Sequence, residues 1–327
     1  MTQPASTSDP SGVLSWRLRD TPVAVFAVET TGFPAGRHRV CELAVSRIEP
    51  GRVPELAFDS LIDPARPMTG EEIHGLADRD VVEAPRFEEV AAEVVDRLSG
   101  AVLVGYNVAF SLPFLECELE RAGVRAAPPH LSLMSLRPAL GLGGRCALEV
   151  ACAEAGVPCE PVGCARADAQ ASAELFGFYV GHLEGRGIET FGDLATLGEL
   201  PFLSSLAASP LEPAETLHLR GRREPRRRVL RSLRPAADQQ RLATRRYWDA
   251  VAAALSDFEL SNVELALVRR MRELLRLPEE RMRAVHARAF LGALATFAGD
   301  DWLAAEEAEK LRSLMRSLAL LGWSPGD

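Results

Sequence analysis

The stretch VAVFAV (23 to 28) is apolar at every position and stops abruptly at Glu29, Thr30, Thr31 and Gly32. A short unbroken apolar run that ends in turn residues is the pattern of a strand buried on both faces. Residues two apart on a strand share a face, so Ala27 and Glu29 point the same way. One acid is therefore delivered where a pair could stand. VCELAVSRI (40 to 48) and VPELAFDSLI (53 to 62) read as two further strands joined by the turn residues EPGR, which makes a β-meander. In APRFEEVAAEVVDRL (84 to 98), Phe87, Val90, Val94 and Leu98 fall at helical spacing, and AVLVGYN (101 to 107) reads as a fourth strand. A helix from about 110 to 122, a short strand near Leu131, and helices near 147 to 155 and 168 to 183 complete the pattern. Strands first, then helices alternating with strands, predict an α/β domain with a mixed sheet over 20 to 184.

Breakers change the pattern after that. Residues 185 to 240 are rich in Gly, Pro and Arg and read as a linker with one short helix near 191 to 197. From 241 to 327 there is no strand signal, and the pattern predicts a helical domain. It repeats at an offset of 43 residues: Asp257, Leu260, Glu264 and Val268 in the first copy match Asp300, Leu303, Glu307 and Leu311 in the second. Ser261 and Glu264 have the spacing of a capping box, whereas the second copy has Ala304 in place of the serine. The polar, breaker-rich residues 1 to 19 read as a disordered tail.

Charge sharpens this division. The chain of 327 residues carries a formal charge of −9, unevenly spread: residues 1 to 200 hold 16 Arg against 29 acids, and the remainder is net positive. RGRREPRRRVLRSLR (220 to 234) packs eight Arg with one Glu. A polyanion would be held there, through Arg220, Arg222, Arg223, Arg226, Arg227 and Arg228. An equally open reading is a strap that docks on the chain's own acidic domain. No uncharged apolar run approaches the roughly 18 residues of a membrane span, and the first residues lack an apolar signal region, so a cytoplasmic protein with no membrane partner is expected. The six cysteines then read as free thiols, and none of their spacings is that of a zinc site.

Four ordered segments carry a resemblance: VAVFAVETTGF, FDSLIDPARPMTGEEIHGLADRDVVEAPRFEEV, LVGYNVAFSLPFLECELERAG and CARADAQASAELF. In order and spacing they resemble the DnaQ-like 3′-5′ exonucleases, the proofreading subunit of bacterial replicative polymerase among them. The resemblance implies an RNase H-like exonuclease fold with a mixed five-stranded sheet. It further implies a site of four carboxylates holding two divalent metals, with a histidine as general base. Such a metal pair activates water and stabilises the leaving oxygen, and it needs dense negative charge.

This chain departs from that pattern at the residues that matter most. The family's Asp-x-Glu is Ala27 and Glu29, its His-Asn-x-x-Phe-Asp is Tyr106, Asn107, Phe110 and Ser111, and its histidine five residues before an aspartate is Gly163 before Asp168. None of Ala27, Ser111 and Gly163 can do the work of the residue it replaces. Losing the base alone costs about 10²–10⁴ in rate, and losing the bridging acid removes the metals. Glu29 and Asp168 are left as remnant catalytic positions able to hold one Mg²⁺ or Mn²⁺ weakly. Against that stand plain readings: Glu29 as a solvated acid and Asp168 as a helix N-cap. Thr30, Thr31 and Phe33 match the family's contacts to the terminal nucleotide, and Thr30 and Thr31 also suit a simple turn. His74 lies in a loop resembling the family's. Rescue of the site by Cys164, Asp59 or Glu42 would need a different geometry.

The C-terminal repeat resembles the TerB-like helical domains, whose acids at Asp257, Glu264, Asp300 and Glu307 are suspected metal ligands but are explained equally by capping. The expected architecture is thus α/β, RNase H-like, followed by an all-α TerB-like domain. Three functions are open: a catalytically degenerate exonuclease that binds single-stranded nucleic-acid ends, an active metal-dependent exonuclease with a remodelled site, and a protein-interaction scaffold. The first and third would use a protein partner docked on the helical domain. Internal pairing of the arginine run would favour the third.

Overall fold

The computed structural model of the protein describes residues 12–159, 163–221, 223–228, 235–255, 258–297 and 305–325. Five strands form one sheet in the order β3-β2-β1-β4-β5, with β1 Val23–Thr30, β2 Val40–Ile48, β3 Glu55–Leu61, β4 Val102–Gly105 and β5 His130–Ser132. The β1/β2 and β2/β3 pairs are antiparallel, and β4 runs parallel to both β1 and β5. The sheet is therefore mixed, as the sequence pattern predicts, and β1 lies at its centre.

Alternation along β1 sorts its side chains between two layers. Ala24, Phe26 and Val28 join Leu43, Val45, Phe58 and Leu103 in a core closed by α3 Phe87–Leu98 and α4 Val108–Arg121. On the opposite face Val23 and Val25 pack with α5 Leu133–Ala139, α6 Leu148–Ala155 and α7 Ala165–Glu184. The same face brings Ala27 and Ala44 against Ala165 and Ala169 of α7. Small residues at this contact let α7 lie close to the end of β1, which places Asp168 near Glu29. The short helices α1 Glu71–His74 and α2 Asp78–Val81 wall the same end of the sheet.

A buried ion pair pins the edge of that layer. Arg39 Nε and Nη2 donate to Glu118 Oε1 and Oε2 at 2.7 and 2.8 Å, and the backbone N–H of Val40 donates to Glu118 Oε1 at 3.1 Å. Glu118 is fully buried. The pair fixes α4 to the start of β2.

Two segments differ from the sequence expectation. From Gly12 onward the chain is packed: Val13 and Leu18 are buried, Val13 N–H donates to Leu206 O and Leu18 N–H to Glu189 O. Residues 12 to 19 of the expected tail are thus packed, and residues 1 to 11 lie outside the described residues. Residues 185 to 228 wrap the domain instead of hanging free. Phe191, Leu194, Phe202 and Leu206 join the α7-side core, and Leu211 and Ala214 join the α3-side core. Gly and Pro prevent long helices there, but they leave the apolar residues between them free to be buried.

The helical region consists of α8 Pro235–Ala254, α9 Asn262–Leu275, α10 Glu279–Phe297 and α11 Ala305–Leu320. It has its own core of Tyr247, Val251, Val268, Val285, Leu314 and Leu318, in which Tyr247 OH meets His286 Nε2 at 2.8 Å. Ser261 and Glu264 form the expected capping box at the start of α9. Asp257 and Asp300 lie outside the described residues, and Glu307 sits in the first turn of α11.

Removing one partner of a buried pair strands the other charge, at about 3–5 kcal/mol. Glu118 also has Arg121 at 3.3 Å, so Arg39→Met is expected to lower the free energy of chemical denaturation by less than that, about 1–3 kcal/mol, and a loss under 1 kcal/mol would show that Arg121 and the Val40 N–H suffice for Glu118.

Candidate functional site

Register sets the acids of the sheet side by side. Glu29 on β1 pairs with Glu42 on β2, and Ala27 with Ala44, which in turn pairs with Asp59 on β3. All face α7, from which Asp168 projects one turn into the helix. Cys164 occupies the N-cap position and Asp168 N–H donates to Cys164 O, so Asp168 is not the helix cap that its residue type suggests.

The cleft end of β1 is not open. α8 lies over it, and Arg245 reaches into the acids: Nη1 donates to Glu29 Oε1 at 2.6 Å, Nη2 to Asp168 Oδ2 at 2.9 Å, and Nε to both Asp249 oxygens at 3.2 Å. Three carboxylates from three elements thus share one guanidinium, whose planar fork matches such an arrangement. A second guanidinium enters from the wrapped segment. Arg228 donates to Glu42 Oε2 at 3.0 Å, Gly163 O at 3.1 Å and His74 O at 2.7 Å. Arg246 beside it makes a bidentate pair with Glu149 of α6 at 2.8 and 2.6 Å.

Burial pushes Glu42 up to about 7, assisted by the Glu29 charge and opposed by Arg228. Burial likewise pushes Asp168 up to about 7, against the pull of Arg245. Asp249 is raised for the same reason. The cluster is kept near neutrality by two guanidiniums and by retained protons together. Glu42 Oε1 and Asp59 Oδ1 are buried without a hydrogen-bond partner.

The residues expected to contact a nucleotide are largely occupied. Phe33 packs on Phe110 with ring centroids 4.7 Å apart and on Trp248 of α8 at 5.0 Å. The protein's own indole thus lies on Phe33. Thr30 Oγ1 donates to Gly32 O, and Thr31 Oγ1 meets His38 Nδ1 at 3.2 Å, so both threonines serve the turn. His74 is buried, accepts at Nδ1 from Leu76 N–H and meets Thr69 O at Nε2, which is a structural role. Burial lowers its pKa and keeps it neutral. Tyr106 OH donates to Cys146 O at 2.6 Å, away from the acids. Ser111 Oγ donates back to Asn107 O, four residues earlier on α4, and the Asn107 Oδ1 is buried without a partner. Gly163 holds a φ of +57°, and a Cβ there would lie 3.5 Å from Arg241 and 3.7 Å from Arg245. A cavity of about 750 Å³ lies beside these groups, between the sheet domain and α8, α10 and α11.

The arginine run divides. Arg226 donates from its backbone to Ser60 Oγ, accepts from Leu61 N–H and pairs with Glu83. Arg223 donates to Glu83 O and Ala84 O. Arg220 and Arg227 are exposed, and Arg222 lies outside the described residues.

Metals held by Glu29 and Asp168 would need the oxygens that Arg245 takes. Among the described residues no group of three or more His, Cys, Asp or Glu is arranged to hold a metal ion. The residues present do not fit a two-metal centre, and the cation at Glu29 and Asp168 is Arg245. Sequence patterning gave no sign of Arg245, Trp248 and Asp249, because on α8 they read as one polar face of an amphipathic helix. Their i, i+4 Arg–Asp spacing was the one available signal.

Comparison with known proteins agrees with the fold. The RNase_T exonuclease family model matches residues 25–176. A DNA polymerase III subunit epsilon-like protein of Rhodobacter capsulatus is 33% identical over 191 residues, which cover 55% of this chain and 27% of that protein. DNA polymerase III PolC-type of Streptococcus thermophilus is 34% identical over 106 residues, covering 32% of this chain and 7% of that protein. The same protein of Halalkalibacterium halodurans is 32% identical over 112 residues, or 34% and 8%. The chain thus spans about a quarter of the length of the first relative and under a tenth of the PolC proteins. The solved structure of exonuclease X in complex with 5′ overhanging duplex DNA is 17% identical, covers 54% of this chain and 99% of that one, and superposes with a TM-score of 0.39. Residues 25–176 are thus similar to exonuclease domains of the RNase_T/DnaQ-like kind, with homology to a DNA polymerase III epsilon-like protein over part of the chain. No helix among the described residues is long and apolar enough to cross a membrane.

Glu42 holds a proton in the fold at pH values where the unfolded chain, with a carboxyl near 4.5, has released it. Its burial therefore costs least below pH 4.5 and most above 7, so stability falls as pH rises through that window. Glu42→Gln is expected to reduce the fall in denaturation free energy between pH 5 and 8 by up to about 3 kcal/mol. An unchanged slope would mean that Arg228 keeps Glu42 ionised throughout.

Proposed function

We propose that the chain is a catalytically silent exonuclease-type protein that acts by binding. Its helical region is a TerB-like domain in this reading, available to a protein partner. The observation that carries the proposal is Arg245: its guanidinium bonds to both surviving acids, Glu29 and Asp168, while Ala27, Ser111 and Gly163 stand where the bridging acid, a further acid and the general base are required. Hydrolysis by the family's route needs a metal-activated water and a base to take its proton. Neither has a holder here. In this reading the cleft around Phe33, Asn107 and Phe110 receives a single-stranded nucleic-acid end once α8 is displaced.

A second reading is a protein-interaction scaffold with no nucleic-acid role. What favours it is the arginine run. Arg223, Arg226 and Arg228 spend their donors on Glu83, Ser60, Glu42 and nearby carbonyls, leaving fewer cations for a polyanion. The two readings separate by salt. Nucleic-acid binding through several arginines would weaken steeply with salt by counterion release, and a scaffold would show no such binding at all.

Incubation of the full chain with 3′-labelled single-stranded DNA in Mg²⁺ or Mn²⁺ is expected to leave the DNA intact. The Ala27→Asp, Ser111→Asp, Gly163→His variant, run beside it, shows whether restoring the acids and the base is enough. Progressive shortening by the unaltered protein, lost on Glu29→Ala, would replace this reading with that of an active enzyme with a remodelled site.

A further inference from the structure

The two faces of α8 belong to different domains. Tyr247, Val251 and Ala254 are buried in the core of the helical region, a large apolar contact shared with α9, α10 and α11. The opposite face carries Arg245, Trp248 and Asp249, and faces the cleft. The first contact is held by apolar burial. The second is held by ion pairs, one ring contact, packing of α8 on α1 and the rim of a cavity of about 750 Å³. An interface tied by ion pairs and incompletely filled is the kind across which domains move, whereas a close-packed apolar core moves as a unit.

We propose that α8 is an internal lock on the cleft, in which Arg245 takes the place of the metal cations and Trp248 takes the place of a stacked terminal base, so that the cleft is entered only when the helical domain swings away as one body. The proposal rests on the reading of the cleft as a binding surface, but the lock itself is independent of whether any bound molecule is cleaved.

Three observations converge on it. The guanidinium satisfies the charge of Glu29, Asp168 and Asp249 at once, which no neutral side chain could do. The indole lies 5.0 Å from Phe33, whose other neighbours, Phe110 and Phe114, belong to the sheet domain. Arg246 ties the same turn of α8 to Glu149. All three contacts come from four consecutive residues of one helix, Arg245 to Trp248. Removing the side chains of Arg245, Arg246 and Trp248, but not that of Tyr247 between them, would unmake the joint and leave the buried residues of both cores in place.

The test is amide hydrogen exchange on the full chain, unaltered and as Arg245→Glu and Trp248→Ala. Exchange in residues 27–33 and 106–114 and along α8 is expected to quicken about tenfold or more in Arg245→Glu, with α9, α11 and the centre of β2 still protected. Trp248→Ala is expected to move the same segments by a smaller factor. Should Arg245→Glu prevent folding, Arg245→Gln serves instead, since it removes the charge without reversing it. The same segments are then expected to quicken. Unchanged exchange at 27–33 and 106–114 in the variant that folds would overturn the lock. A fluorescein-labelled oligothymidylate added to the loosened protein addresses the other reading. Failure to bind after the cleft has opened would count against a nucleic-acid role while leaving the lock in place.

Discussion

One guanidinium, that of Arg245, touches carboxylates from β1, α7 and α8, and the arrangement of the two domains follows from it. Glu29 and Asp168 are brought together by the sheet and by the small residues that let α7 approach it. Two acids at that distance, with Glu42 paired across the sheet, cannot all be ionised in a buried setting without a cation. An exonuclease of this fold meets that need with metals. This chain meets it with a side chain, and a side chain is attached to a helix. Whatever supplies the charge therefore also fixes the position of the helical domain.

The substitutions at Ala27, Ser111 and Gly163 acquire a physical meaning in this setting. With an aspartate at 27 or 111, the acid cluster would hold more negative charge than Arg245 and Arg228 can offset. At 163, a φ of +57° strains any residue with a side chain, while Arg241 and Arg245 lie only at ordinary contact distance from a Cβ there. Ala27, Ser111, Gly163 and the arginines are thus compatible with each other.

The sheet and its helices were legible because their signals are local. β1, β2, α3, α4 and α7 each announce themselves by apolar periodicity or by an ordered motif, and the remnant acids by their place in it. The short helix α5 was missed because seven residues carry too little periodicity, and residues 185 to 228 were taken for a linker because Gly and Pro mask apolar residues that are buried singly. The occupant of the site was not legible for a different reason. Arg245 lies 216 positions from Glu29, and nothing in an amphipathic helix says which distant acid its polar face will meet. The internal contacts of the arginine run were likewise not legible, since nothing local says that Arg228 reaches Glu42.

Arg228 and Arg245 enter the same acid row from a single stretch of chain, only 17 residues apart. Covalent continuity makes the docking of α8 on the cleft an intramolecular event, governed by an effective concentration and not by a free one. A free molecule arriving from solution competes against that local concentration, not against an empty groove. A weak, abundant ligand would be shut out, and a partner able to grip both the cleft and the helical domain at once would have the advantage. The chain's own covalent continuity thereby acts as a selectivity filter on what can engage the fold.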